Sequence, residues 1–310
     1  MSGAVMVIGG GIAGIQASLD LAKGGAKVVL VERAPTIGGV MAVLDKNFPT
    51  LDCSICIEAP KMSEVGLHPN IEILSPAEVL HIEGETGAFR VQVRQQTRYV
   101  TNACTRCGEC TTVCPVVLPN EYDSGMAARK AIYTPIPQSV PGAYLIDMAH
   151  CLNDPPNYIP CNHCQQVCPP GAIDFLLPPE TVSEREVSAI ILATGYDMLD
   201  PRALKEYGYG THPDILTALE FERLINSAGP TGGEIIRPSD GKHPENILFV
   251  LCIGSRDQRH AQHCSRFCCM YSIKHAYQAL DHGITDVSVL YMDIRAYGKG
   301  FDGFWQRTQA

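Results

Sequence analysis

Residues 4–14 read AVMVIGGGIAG, a short apolar run that ends in the glycine pattern Gly9-x-Gly11-x-x-Gly14, and Ile15 to Lys23 then follow with helical spacing. This is the order strand, glycine turn, helix. Glycines at such a turn let the backbone approach a pyrophosphate, and a helix start offers it unpaired N–H groups and a partial positive charge. A second apolar strand, Lys27 to Glu32, closes on an acid 18 residues after Gly14, where a ribose-binding carboxylate is expected. The pattern predicts a parallel α/β sheet that holds a dinucleotide.

The remainder of the chain must fit that start. At 310 residues it has the length of about two domains. With 45% hydrophobic and 18% charged residues it has the composition of an ordinary globular chain. No apolar run reaches the ~18 residues of a membrane span. Lys plus Arg number 24 against 33 Asp plus Glu, a net charge of −9 with no basic stripe, which argues against nucleic acid as a partner. The start MSGAVMVIGG has no charged n-region and no cleavage site, so the expected location is cytoplasmic.

The 14 cysteines are the unusual quantity. In a reducing compartment, cysteines bunched as C-x2-C-x2-C-x3-C are ligands of metals or clusters rather than cystines. Cys104, Cys107, Cys110 and Cys114-Pro115 have bacterial ferredoxin spacing, in which three thiolates hold one cluster and the fourth crosses to another. Cys161, Cys164 and Cys168-Pro169 repeat the pattern, with Cys151 standing ten residues ahead. Crossing over assigns Cys104, Cys107, Cys110 and Cys168 to one 4Fe-4S cluster, and Cys114, Cys151, Cys161 and Cys164 to a second. Zinc is the competing reading, since C-x2-C pairs also suit a tetrahedral ion. The prolines after the fourth cysteines and Ala172-Ile173 favour iron-sulfur.

A third group is Cys252, Cys264, Cys268 and Cys269. If the segment after His263 is helical, Cys264 and Cys268 share a face one turn apart, and Cys252 comes off a strand end. A third four-thiolate site is one reading and buried structural cysteine the other. His260 and His263 flank this group as solvent-facing residues, hydrogen-bonded residues or replacement ligands. Cys53 and Cys56 remain, as a dithiol that exchanges electrons with a flavin, as ligands to a cluster on a partner chain, or as loop packing.

Residues 71–84 and 88–95 read as hairpin-like strands. The α/β pattern resumes at Val187 to Ala193 and stops at Thr194-Gly195. A loop-rich connection then holds one helix around Thr217 to Ala228, and further strands follow at Asn246 to Ile253 and Asp286 to Tyr291. The expected divisions are 1–98 for the first part of a nucleotide domain, 99–180 for a two-cluster insertion, 181–245 for the return and connection, and 246–310 for a partial second nucleotide-type domain with a further cluster. FAD is preferred to NAD. Gly38-Gly39 followed by Ala193-Thr194-Gly195 is typical of two-dinucleotide-binding flavoproteins, which the chain resembles here. Gly9, Gly11, Gly14 and Glu32 then hold the ADP half of FAD, and Ile12, Ala13, Arg33 and Val79 are further cofactor-binding candidates. Gly38, Gly39, Thr194 and Gly195 lie by the pyrophosphate and ring.

TLDCSICIEAPKM (50–62), CTRCGECTTVCPV (104–116), NEYDSGMAARKAIY (120–133), PQSVPGAYLID (137–147), ILATGYD (191–197), the run from Leu219 to Lys242, CIGSRD (252–257) and YMDIRAYGKGF (291–301) together resemble the iron-sulfur flavoprotein subunit of heterodisulfide reductase (HdrA) with its relatives. The likeness covers nearly the whole length. It implies a thioredoxin-reductase-like, Rossmann-like FAD domain with an inserted two-cluster ferredoxin domain, and a third cluster on Cys252, Cys264, Cys268 and Cys269. It also implies a role in electron transfer within a complex, with flavin-based bifurcation between a disulfide-type acceptor and ferredoxin. The implied partners are cluster-bearing subunits and a hydrogenase or formate dehydrogenase. Two other readings stand beside this one, a non-catalytic electron wire and a disulfide reductase that uses Cys53 and Cys56. Cys252-Ile253-Gly254-Ser255 stands where a second glycine fingerprint would bind a nicotinamide, which argues against direct NAD(P)H oxidation. Family chains continue beyond GKGF, so another polypeptide supplying the late flavin-domain segment, a split gene or a fragment is expected.

Overall fold

The computed structural model describes residues 3–153 and 159–310. The chain divides into two compact units, Met1–Ala42 with Cys56–Tyr196, and Val43–Ile55 with Asp197–Ala310.

In the first unit β1 (Ala4–Ile8) runs through the glycine turn into α1 (Ile12–Lys23) and β2 (Val28–Val31), and α2 (Ser54–Leu67) precedes β3 (Ile71–Leu74). Every residue of β2, VVLV, is buried, as expected for a parallel strand covered on both faces. An antiparallel pair, β4 (Ala77–Glu85) and β5 (Ala88–Gln96), comes next. The six-stranded mixed sheet has the order β3-β2-β1-β10-β5-β4, where β10 is Glu180–Leu192. The long β10 pairs antiparallel with β5 through its first half and parallel with β1 through its second. Its C-terminal end therefore lies beside the glycine turn, and Ala193 N–H donates to the Ile8 carbonyl at 2.8 Å. Met6, Val29, Val31, Leu74, Val91, Val93 and Val187 form the core of the sheet.

The expected strand over residues 71–84 is two strands. Ser75-Pro76 separates them: β3 pairs in parallel with β2, and only β4 forms the hairpin with β5. Proline lacks the N–H that a continuous ladder needs.

Between β5 and β10 the chain leaves the sheet for short elements: α3 (Glu109–Val113), the pair β6 (Val117–Pro119) and β7 (Ala128–Lys130), the pair β8 (Ile132–Tyr133) and β9 (Leu145–Ile146), and α4 (His163–Gln166). Their shared core is Tyr99, Val100, Cys110, Ile132, Ile146, Cys151, Cys164, Ala172 and Ile173.

In the second unit α5 (Ala218–Ile225) begins at a capping box, in which Thr217 accepts from the Glu220 N–H and Glu220 accepts from the Thr217 N–H. The unit then forms a parallel β-α-β, with β11 (Asn246–Val250), α6 (Cys268–Asp281) and β12 (Asp286–Leu290), followed by α7 (Phe301–Gln309). Among the described residues no helix is long and apolar enough to cross a membrane.

Candidate nucleotide and cluster sites

The glycine turn is shaped from inside the fold. Gly9 has φ +106°, and a Cβ there would sit 2.2 Å from the Ala193 carbonyl oxygen. A Cβ on Gly14 would sit 1.8 Å from the Gly9 oxygen. Gly11 differs, because the nearest atom to its added Cβ is 3.9 Å away. The middle glycine therefore keeps open the space in front of the turn, where the first N–H groups of α1, from Ile12 to Gly14, have no partner within the helix. Gly38 N–H donates to the Gly10 carbonyl at 2.7 Å and brings Gly38-Gly39 against the turn. Glu32, 8% exposed, reaches back from the end of β2 and accepts the Gly10 N–H at 2.5 Å and the Ala34 N–H at 2.7 Å. Thr194 and Gly195 are exposed just beyond the strand end, and Arg33 is exposed beside Glu32. Val79 instead packs in β4 against the sheet core, opposite Val93. The open cradle and the acid fit the adenosine and pyrophosphate of FAD.

Cysteines of the two runs come together at two pockets. Cys104, Cys107, Cys110 and Cys168 line one pocket with Val100, Ile132, Tyr144 and Ile173. Cys114, Cys151, Cys161 and Cys164 line a second. Gly108, at φ +84°, turns the chain into α3 so that Cys110 points inward while Cys107 stays exposed. Burial, with Cys104, Cys107 and Cys168 alongside, pushes the Cys110 thiol up to about 11. Burial and the neighbouring Cys151, Cys114 and Cys110 push Cys164 up to about 12. These thiols are protonated at neutral pH in the metal-free protein, and binding iron must release their protons.

Zinc would need a narrower cage than a four-iron cluster. At about 2.3 Å from each thiolate it would draw four sulfurs to within about 3.8 Å of one another. Among the described residues no three His, Cys, Asp or Glu side chains form a group that could hold a single metal ion. A four-iron cube places its own iron and sulfide between the thiolates and needs a wider cage.

The third group lies within the second unit. Cys268 and Cys269 open α6, and Cys252 leaves β11 at φ +62°. Burial is the largest cause raising both the Cys252 and the Cys269 thiols, with Cys268 adding to each. Cys264 does not share a helix face with Cys268 as the spacing suggested. It sits in the loop before α6, accepting the Arg266 N–H at 3.2 Å, because the helix starts only at Cys268. His260 and His263 are exposed. Cys53 and Cys56 are disulfide-bonded, at the start of α2.

Sequence reasoning missed a buried charge cluster in the second unit. Lys274, 1% exposed, and His275, also 1% exposed, both bond Glu222 Oε1, the histidine at 2.5 Å. Lys274 also donates to the Lys46 carbonyl at 2.8 Å, and Glu222 Oε2 accepts the Asp45 N–H at 3.0 Å. A Lys-His pair inside an otherwise apolar helix stripe was the available signal.

Residues 4–45 match the family described as FAD dependent oxidoreductase. The chain is 50% identical over 98% of its length to the HdrA-type iron-sulfur subunit of the CoB–CoM heterodisulfide reductase of Methanocaldococcus jannaschii. It is 49% identical over 98% to the corresponding subunit of the H2:CoB-CoM heterodisulfide,ferredoxin reductase of Methanothermobacter marburgensis. Against the corresponding subunit of the ferredoxin:CoB-CoM heterodisulfide reductase of Methanosarcina mazei the identity is 45% over 98%. The chain spans 46%, 45% and 38% of those three relatives, less than half of each.

Proposed function

We propose that this chain, which shares about half its residues with HdrA-type subunits of heterodisulfide reductases, is the FAD and iron-sulfur electron-transfer part of a heterodisulfide-reductase-like complex. The observation that carries the proposal is the convergence of eight cysteines from two separate runs into two four-cysteine cavities, in the crossed pattern of a two-cluster ferredoxin. On this reading residues 99–180 are a ferredoxin-like insertion, and Cys252, Cys264, Cys268 and Cys269 hold a third 4Fe-4S cluster. Gly9, Gly11, Ile12, Ala13, Gly14 and Glu32 hold the ADP half of FAD, and Gly38, Gly39, Thr194 and Gly195 face its pyrophosphate and ring.

FAD takes electrons in pairs and passes them on singly, which matches thiolate-held clusters that carry one electron each. The chain's own part is to bind and to insulate. The glycine turn fixes the nucleotide, and the apolar residues around the cysteines keep water from the clusters. Bifurcation between a disulfide-type acceptor and ferredoxin, hydrogenase or formate-linked partners and a cytoplasmic location belong to the same proposal. The relatives' names, which include ferredoxin and H2, support the partners. Leu248, Val250 and Leu290, exposed on the open face of β11 and β12, support a further polypeptide segment covering that face. The disulfide at Cys53 and Cys56 favours a second reading, a two-electron dithiol station on the same route.

Anaerobic purification with the native partners should yield bound FAD and about twelve iron atoms per chain. Cys168→Ser should remove the cluster of the first run and Cys114→Ser that of the second, each lowering iron by about four. Colourless, iron-free protein, or iron unchanged in both variants, would overturn the reading.

A further inference from the structure

The nucleotide site and the first cysteine pocket share one strap of chain. Residues 134–144 connect β8 to β9 and are neither helix nor strand. One side of this strap lies on the loop that follows β2. The Ile37 N–H donates to the Val140 carbonyl at 2.9 Å, and the Val140 N–H donates to Thr36 Oγ1 at 2.9 Å. Arg98, just beyond β5, ties the same two segments: Nη1 donates to the Pro35 carbonyl at 2.7 Å and Nη2 to the Ala143 carbonyl at 2.6 Å. Burial pulls its pKa down to about 10, so at pH 7 it is still a cation and keeps every donor of its planar fork. The clamped loop runs directly into Gly38-Gly39, which lie against the glycine turn. The other side of the strap faces the first pocket. Tyr144 lines that pocket beside Cys104, Cys107 and Cys110. A Cβ added to Gly142 would fall 1.1 Å from Arg106 Nη2, so the Arg106 guanidinium lies on the bare face of that glycine. Arg106 stands between Cys104 and Cys107 at φ +61°, a conformation that persists only where its surroundings hold it.

We propose that Arg98 is a positioning residue through which this strap couples FAD binding to assembly of the first cluster, each strengthening the other. The proposal rests on the FAD and cluster reading above. The two-residue ladder between β8 and β9 is too short to order the connection it closes. What orders the strap is the nucleotide loop on one side and the first pocket on the other. FAD bound at Gly38-Gly39 fixes Pro35 to Ile37, and a cluster fixes Cys104 and Cys107 with Arg106 between them. Whichever binds first meets the entropy of seating the strap, and the second binds to a strap already seated. Such coupling is reciprocal and is typically worth about 5–150-fold in affinity. It is also selective. The second pocket is lined by Ile132 and Ile146, on either side of the strap, and by no residue of the strap itself.

The test is a double-mutant comparison on the anaerobically purified complex, with FAD removed and titrated back by the quenching of its fluorescence, and iron counted in parallel. Cys168→Ser, which lacks a first-cluster ligand, should lose about four iron atoms and bind FAD about tenfold more weakly than the wild type. Cys114→Ser should also lose about four iron atoms but bind FAD as the wild type does. Arg98→Gln removes both carbonyl bonds of the clamp, and Thr36→Val removes the acceptor of the Val140 N–H. In either background, adding C168S should no longer change FAD affinity. A merely structural role for Arg98 would weaken FAD equally with and without the first cluster and leave the tenfold ratio in place. That ratio persisting in both R98Q and T36V overturns the proposal. So does wild-type FAD affinity in C168S protein that has lost its iron, or an equal loss of affinity in C114S, and both outcomes leave the cluster assignment standing. If R98Q does not fold, T36V decides. C168S protein with full iron removes the first cluster itself, and a complex that takes up no FAD removes the nucleotide site; either result takes the proposal with it.

Discussion

Glu58 is a buried acid without a partner, and its cost can be followed with pH. It lies on the inner stripe of α2 with Ser54, Met62 and Val65, all 0% exposed, and neither carboxylate oxygen has a hydrogen-bond partner. Burial pushes its pKa from 4.5 up to about 8. Below pH 4.5 the carboxyl is protonated in both the folded and the unfolded chain and contributes nothing to the pH dependence. Between 4.5 and about 8 the unfolded chain ionises while the folded chain keeps its proton. Stability therefore falls as pH rises through that window, and levels off above it. At about 1.4 kcal/mol per pH unit the full loss is on the order of 5 kcal/mol. Glu58→Gln keeps the shape and cannot ionise. Its amide leaves a buried donor unpaired, a penalty of ~1–3 kcal/mol that does not vary with pH. The variant should thus be the less stable protein at pH 5 and the more stable one at pH 8. Anaerobic urea unfolding at pH 5, 6.5 and 8, followed by circular dichroism, measures the difference. Parallel profiles for the two proteins would show that the carboxyl is solvated or bonded in solution, and would refute the reasoning.

Two further outcomes follow from the same structure. Gly14→Ala places a methyl 1.8 Å from the Gly9 oxygen, so the turn must open; FAD retention after gel filtration should fall at least tenfold, and full retention would contradict the cradle. Burial pushes Glu222 up, but the His275 bond and the charges of His275 and Lys274 outweigh it and hold the carboxyl down to about 2. Its contribution is present above pH 4.5 and lost as pH falls through that lower window. Glu222→Gln, which strands the buried Lys274, should cost about 3–5 kcal/mol at pH 7, and Lys274→Met in the same protein should recover most of it. An unchanged melting temperature in E222Q would show that the pair contributes nothing.

The glycine turn and the cysteine groups were legible because covalent spacing alone constrains them. Gly9 and Gly14 must lack side chains wherever that turn is built, and a Cys-Pro ending four thiols apart has few other uses. The division of residues 71–84 was not legible. The alternation of apolar residues is the same whether a strand bends at Ser75-Pro76 into a second pairing or continues. The start of α6 at Cys268 was not legible either, and a helix from His263 onward stood only as a condition. Ser265 is a residue type that caps helices but does not cap this one, whose N-cap is Phe267, and residues 264–267 are held out of the helix by the positive φ of Arg266 with its bond to Cys264. Lys274, His275 and Glu222 were missed because they meet from α5 and α6, 52 residues apart for the lysine and glutamate.

The insertion carries a stronger consequence. Three of the nine residues in its buried core are cysteines, and Cys104, Cys114 and Cys168 pack against it. Its helices α3 and α4 have five and four residues, and its ladders two or three, too short to be stable by propensity or pairing alone. A segment this poor in regular structure has little apolar surface besides the cavity walls with which to offset chain entropy. In an ordinary small domain that shortfall is met by disulfides or a metal. Here the eight cysteines converge on two cavities, and on the proposed cluster assignment the bonds that organise the insertion are those to iron. On that proposal, assembly of the clusters and folding of this segment are one thermodynamic event. The sheet around β1 and β10, with its apolar core complete in the protein alone, provides the scaffold on which it occurs.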